Sequence, residues 1–272
     1  MYPILFNIDG FELHTYGLMM ALAFAAGFAL AVKRGKRYGF DFDRIYSTTI
    51  VIVLSSLAGS RAAYVIFHLE EFQGRMWDII NPIQSTGQIG ISGMVVLGGV
   101  VSAFIITTIN LKIKKISVGK MADTMAPSLA LGLAIGRMGC FFNGCCFGVE
   151  CHLPWGIVFP EGSWPRYIYG EVPVHPTQIY EVLYNLAIMA VLLKIGNSKK
   201  FAGFSFALFA VLYGFFRIIV ESLRYYEDFE SGMKVVNLGT VSITVSQSIS
   251  FLMILAGIIT IIIGCRRQKF AE

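Results

Sequence analysis

Two short stripes of polar side chains interrupt a sequence that is otherwise strongly apolar. Tyr213, Arg217 and Glu221 recur every four residues, and Gln178, Glu181 and Asn185 recur at three and four, so on helices each set shares one face. A guanidinium forks onto phosphate or carboxylate and keeps its proton. Arg217, Arg137 and Arg61 are therefore candidates for holding an anion, with Arg224 following Arg217 by seven. Blander readings stand beside this one. An Arg–Glu pair at this spacing neutralises itself, and an arginine near the end of an apolar span snorkels to the interface. His175, just ahead of Pro176, is of a type more often structural than catalytic.

Gly136-Arg-Met-Gly-Cys-Phe-Phe-Asn-Gly-Cys-Cys-Phe-Gly148 carries four glycines in thirteen residues. That density argues against a continuous helix, and irregular backbone at membrane depth must line a cavity or be buried in protein. Glycine amides also approach a phosphate closely. Gly132 and Gly136 form a small-xxx-small pair that suits helix packing, and Gly98-Gly99 again permits close approach. Cys140, Cys145, Cys146 and Cys151 lack the C-x-x-C pairing of common zinc sites, so the spacing gives no metal site. A disulfide involving Cys151 and plain packing of Cys140 both remain open.

These residues sit in a chain of 272 residues that is 56% hydrophobic and 14% charged, with mean hydropathy +0.67. A soluble domain carries about 25% charged residues. A span across roughly 30 Å of hydrocarbon needs about 20 apolar residues. Seven segments qualify: Tyr16–Val32, Ser47–Phe67, Ile91–Leu111, Ala122–Phe142, Thr177–Leu193, Phe201–Val220 and Val245–Gly264. Alternate connections and the C-terminal tail hold fifteen of the 22 Lys and Arg residues, which places that side in the cytoplasm. The N-terminus is then outside and the C-terminus inside. Met1–Gly10 lacks a basic region and a cleavage site, so the first span reads as a retained anchor. The net charge of +5 is a topology signal; it does not form a nucleic-acid surface. Gly144–Pro176, with two tryptophans and four prolines ahead of Pro176, reads as a small folded cap. The sequence shows no internal repeat. The expectation is one all-α polytopic membrane domain over 1–272, with about seven transmembrane helices and an extracytoplasmic cap at about 144–176.

Five motifs, taken together and in order, resemble the prolipoprotein diacylglyceryl transferase family. His14-Thr-Tyr-Gly17 is similar to its H-x-Y-G, and Gly59-Ser-Arg61 with Tyr64 to its G-x-R-x-x-Y. Gly136-Arg-Met-Gly139 with Asn143-Gly144 and Gly148 resembles its glycine-rich signature. His175-Pro-Thr-Gln-Ile-Tyr-Glu181 resembles H-P-[ST]-Q-L-Y-E, and Tyr213-Gly-Phe-Phe-Arg217 with Glu221 resembles Y-G-x-x-R-x-x-x-E. Three positions depart from the pattern. Leu97 stands where the family has a histidine linked to activity, Cys140 where it has Asn, and Cys145-Cys146 where many members have Glu.

The resemblance implies a multi-pass enzyme of the bacterial cytoplasmic membrane. Its donor would be phosphatidylglycerol and its acceptor the lipobox cysteine of a prolipoprotein signal peptide, with no cofactor, metal or nucleic acid. On that reading Arg137 binds the headgroup and Arg217 stabilises the leaving charge. Tyr16, His14, His175 and Glu181 are the candidate bases, with the Tyr16 region favoured; the field of the arginines is the alternative source of thiolate. Asn143, Gly144, Arg61, Gly98, Gly99, Gln178, Glu181, Tyr213 and Glu221 complete the expected substrate site. Two other classes stay open: a transferase using the same lipid with another acceptor, and a non-catalytic phospholipid-binding paralogue.

Overall fold

The computed structural model describes residues 4–8, 11–74, 76–79, 81, 93–196, 201–226, 234–238 and 241–269. Among them, seven helices are long and apolar enough to cross a membrane. They are α1 (Thr15–Gly35), α2 (Phe42–Phe67), α3 (Val96–Ile113), α4 (Val118–Asn143), α6 (Thr177–Ile195), α7 (Phe204–Glu221) and α8 (Val245–Lys269), and a short α5 (Trp164–Tyr169) lies between α4 and α6. All seven expected spans are present. Ile91, the expected start of the third, lies outside the described residues, as do Lys199 and Lys200 of the charge pattern.

Burial is inverted relative to a water-soluble protein. Leu54, Ile66, Phe104, Phe251 and Leu252 are more than 60% exposed, while Thr177, Gln178, Glu181, Asn185, Arg217 and Glu221 are buried. Apolar side chains face outward where hydrocarbon is the solvent, and polar ones turn inward to find partners.

The expectation of an all-helical chain needs amending. Strands β1 (Ile4–Ile8) and β2 (Phe11–His14) form an antiparallel hairpin ahead of α1, and β3 (Lys234–Leu238) and β4 (Val241–Thr244) form another ahead of α8. Both pair a five-residue strand with a four-residue one, and both carry an irregularity at the same register step. This is a hairpin–helix repeat where the sequence showed none. Its strands are only four and five residues long, and Ile4-Leu-Phe6 breaks the two-residue alternation, so the signal is weaker than that of an apolar helix.

The chain divides into two compact units, Met1–Arg34 with Gly119–Glu272, and Gly35–Val118. In the second, α2 and α3 touch backbone to backbone. A Cβ on Gly59 would fall 2.1 Å from Ser102 Oγ, and one on Gly98 2.3 Å from the Ala63 Cβ. Asp41 caps α2, its carboxylate accepting from the Arg44 amide at 3.0 Å, as a helix N-terminus requires.

In the first unit Ala126 and Ala130 of α4, Ile188 and Leu192 of α6, and Phe209 and Val220 of α7 share one core. Helix α8 closes on α7 through Gly214 and Gly257, where a Cβ would strike the Ser250 and Ala207 carbonyls at 2.7 Å. Asp123 of α4 accepts from the amides of Gly203 and Phe206 at 2.8 and 3.0 Å, capping α7 across the core.

The glycine-rich stretch is helical for longer than expected. Helix α4 runs through Gly136 and Gly139 to Asn143 and yields only at Gly144, whose φ is +75°. The reason is packing against α1. Cβ atoms on Gly132 and Gly136 would meet Ala23 and Met20 at 3.7 and 3.6 Å, and one on Gly139 would crowd Met19 and Tyr16 at 3.1 and 3.3 Å. Neighbouring helix surface supplies what glycine's low propensity lacks. Beyond Gly144, residues to Pro176 do fold. Phe147, Phe159 and Val174 make a small core with Phe141, Ile157, Ile168, Tyr169 and Tyr225 around it.

Candidate active site

Helix α6 centres the site. Its polar stripe faces inward, and Glu181 is 1% exposed. A carboxylate removed from water costs several kcal/mol unless both oxygens find charge. Here Oε2 meets Arg137 Nε at 2.8 Å and Oε1 meets Arg217 Nη1 at 2.8 Å. Tyr184, one turn on, donates to Oε2 at 3.2 Å, and Asn185 Nδ2 donates to the Glu181 carbonyl at 2.7 Å. Two arginines from α4 and α7 are thus joined through one carboxylate.

The two arginines are not equivalent. Arg217 has Nε donating to Ser246 Oγ at 3.1 Å, Nη1 on Glu181, and Nη2 2.8 Å from Glu221 Oε2. Every nitrogen is engaged. Glu221 also accepts from Tyr226 and, at 3.1 Å, from Thr244 Oγ1. The self-neutralising pair at i, i+4 is therefore real, and Arg217 is built into a frame. Arg137 commits only Nε, to Glu181; its two Nη groups meet no protein acceptor among the described residues, and its side chain stays 19% exposed. The N–H donors of both Nη groups lie in one rigid fork.

The loop after α4 is tied down from α6. Gln178 Nε2 donates to the Cys145 carbonyl at 2.7 Å and Thr177 Oγ1 to the Cys146 carbonyl at 2.6 Å. Cys146 is held at φ +65°, unusual for a residue other than glycine. Asn143 is exposed at the end of α4 and Gly144 is buried beside it. The fold also collects Cys140, Cys145 and Cys146, whose Sγ atoms all lie within 4.8 Å of one another, a convergence that linear spacing concealed. All five cysteines are free thiols, Cys151 buried, so the disulfide considered for Cys151 is not formed.

Other expected site residues fall differently. Tyr16 is 42% exposed on α1, against Gly139. His14 ends β2 and is exposed. Tyr213 stacks on Phe209 at 5.5 Å and meets Tyr184 edge-on, a wall of aromatic packing. His175 Nδ1 lies 3.0 Å from the Tyr180 hydroxyl, which accepts from Trp155 Nε1 at 2.8 Å. The hydroxyl and Nδ1 share one hydrogen bond whose direction follows the imidazole tautomer. Burial holds the imidazole below its ordinary pKa.

Arg61, Gly98 and Gly99 belong to the other unit. Arg61 donates to the carbonyls of Ile79, Asp78 and Gly93 at 3.0, 2.8 and 3.2 Å and lies over the rings of Tyr64 and Phe72. It clamps the chain that follows α2. Gly98 and Gly99 serve the α2–α3 seam, their faces filled by Ala63, Gly59 and Ser56. All three make their described contacts within that unit. Sequence reasoning missed Tyr184, Ser246, Thr244 and Tyr226. Only Tyr184, three after Glu181 on one helix, carried a spacing signal.

The model of the prolipoprotein diacylglyceryl transferase family matches residues 3–263. The chain belongs to this family. Among its relatives, the phosphatidylglycerol–prolipoprotein diacylglyceryl transferase of Clostridium tetani is 32% identical over 82% of this chain and 86% of its own length. That of Finegoldia magna is 31% identical over 94% and 93%. Transferase 1 of Clostridium perfringens is 30% identical over 99% and 97%. The prolipoprotein diacylglyceryl transferase match spans both compact units and every residue of the Arg137–Glu181–Arg217–Glu221 frame.

Proposed function

We propose that this chain transfers the diacylglyceryl group of phosphatidylglycerol to the lipobox cysteine thiol of a prolipoprotein, releasing glycerol phosphate, the first step of lipoprotein maturation. The observation that carries the reading within the family is the half-used guanidinium of Arg137. Its open fork grips the donor's phosphodiester, and Glu181 fixes its plane. As the acceptor thiolate attacks the glyceryl carbon, the carbon–oxygen bond breaks and charge grows on the phosphate. Donors already in place at that oxygen stabilise the charge as it forms, with no reorganisation at the moment of reaction. Arg217, with its nitrogens engaged, holds Glu181 and Glu221 in place and acts through Arg137; the direct leaving-group role expected of it passes to Arg137. Gln178 and Thr177 hold the loop that follows Asn143 through the Cys145 and Cys146 carbonyls. The setting is the bacterial cytoplasmic membrane, with the N-terminus and the 144–176 cap outside and the C-terminus in the cytoplasm, as the Lys and Arg asymmetry supports.

The test is transfer in detergent from labelled phosphatidylglycerol to a lipobox peptide, read by mass spectrometry. A thioether-linked diacylglyceryl product, absent with the Cys→Ser peptide, is expected. Consumption of the lipid without that product would redirect the proposal to another acceptor, and intact lipid with every acceptor would leave only lipid binding.

A further inference from the structure

Thiol alkylation needs a thiolate at the acceptor cysteine. Both Glu181 oxygens are held in ion pairs. His175 Nδ1 is hydrogen-bonded to the Tyr180 hydroxyl, and an ordinary phenol keeps its proton up to about pH 10. Beside Arg137, however, stand three thiols on one short segment. Cys140 is buried in the last turns of α4, and Cys145 and Cys146 are partly exposed on the loop that Gln178 and Thr177 hold from α6. Their sulfurs converge within 4.8 Å. Three thiolates around one Zn²⁺ at about 2.3 Å stand roughly 3.8 Å apart, so this arrangement needs only a small contraction. Arg137 and Arg224 both act electrostatically on Cys146, and their charges oppose the surplus negative charge of a three-thiolate metal centre.

We propose that Cys140, Cys145 and Cys146 bind one soft cation of the Zn²⁺ class, whose fourth coordination position receives the acceptor's thiol. The proposal rests on the transferase reading above. Three protein ligands leave such an ion an open position for substrate, and a thiol on the metal is deprotonated outright. The bound sulfur then attacks the glyceryl carbon, its proton having passed to solvent. The new carbon–sulfur bond replaces the carbon–oxygen bond, and glycerol phosphate departs on Arg137. Nucleophile and leaving group would thus be held by neighbouring residues of one helix end.

The experiment uses the full chain in detergent. Zn²⁺ content is measured by mass spectrometry, and Co²⁺ is loaded as a spectroscopic probe. The wild type should hold about one equivalent of metal and show thiolate-to-cobalt charge transfer. C140S/C145S/C146S should lose at least tenfold of the metal, and C151S none. A lipobox cysteine peptide should shift the cobalt ligand-field bands, and its serine counterpart should not. Wild-type metal content equal to that of the triple variant, or a disulfide among the three in place of metal uptake, overturns the site. Identical spectra with both peptides, or full transfer after metal removal, overturns the thiol-binding role. Cobalt bound through the thiols in a protein that transfers nothing counts against the transferase reading and leaves the metal site standing. Because wild-type spectra carry the result, misfolding of the triple variant does not obscure it.

Discussion

Arg137 and Arg217 share Glu181, yet only one has donors to spare, and the two should separate by experiment. Arg137→Ala is expected to lower the transfer rate by about 10²–10³, the usual effect of removing a donor aimed at developing charge, with fold intact because Arg217 still pairs Glu181. Arg137→Lys keeps the charge and loses the fork, so its rate should fall between alanine and wild type. Kinetics with the lipobox peptide check both. Glu181→Gln is a different injury. It leaves two guanidiniums without their shared carboxylate, and breaking a buried pair costs about 3–5 kcal/mol. A marked drop in thermal stability together with lost transfer is expected; unchanged stability would contradict the frame. The sequence made this much legible through i, i+4 spacing on α6 and α7. It could not show that Arg217 is fully occupied, because Ser246 and Thr244 reach the frame from beyond a long connection.

Helix packing distinguishes glycines that the sequence treats alike. A Cβ on Gly98 would overlap the Ala63 Cβ at 2.3 Å, whereas one on Gly132 finds its nearest neighbour at 3.7 Å. Gly98→Ala should therefore destabilise by about 1–3 kcal/mol through overpacking. Gly132→Ala should be neutral or gain up to about 1 kcal/mol from helix propensity. Thermal unfolding in detergent of the two variants side by side tests this, and equal shifts would show that the α2–α3 seam can open. The tether of the 143–146 loop is tested at the same scale. Thr177→Val with Gln178→Leu removes both donors to the Cys146 and Cys145 carbonyls, each worth about 1–3 kcal/mol if left unmet when buried. Faster proteolysis near Cys146 and weaker transfer are expected. Gly136 and Gly139 argued against a helix here, and the helix forms because α1 covers them; propensity yields to tertiary contact.

For the whole molecule, the Lys and Arg asymmetry predicts an outside N-terminus and an inside C-terminus. A C-terminal green fluorescent protein fusion should fluoresce, and a phosphatase fused at Gly162 should be active; the reverse pattern would invert the topology. Length and apolarity determined by themselves the seven helices, among the described residues, that are long and apolar enough to cross a membrane, since hydrocarbon satisfies no backbone hydrogen bond and a span must be long, apolar and helical. They also exposed the two polar stripes, because a charge kept in such a span must have a partner or a task. The hairpins ahead of α1 and α8 were hidden, because strands of four and five residues are too short to set a period apart from their surroundings. Only the tertiary structure decided how the polar groups divide their work, which guanidinium remains open and which three sulfurs meet. Those outcomes depend on contacts between helices far apart in the chain, and no local pattern encodes a distance across a bundle.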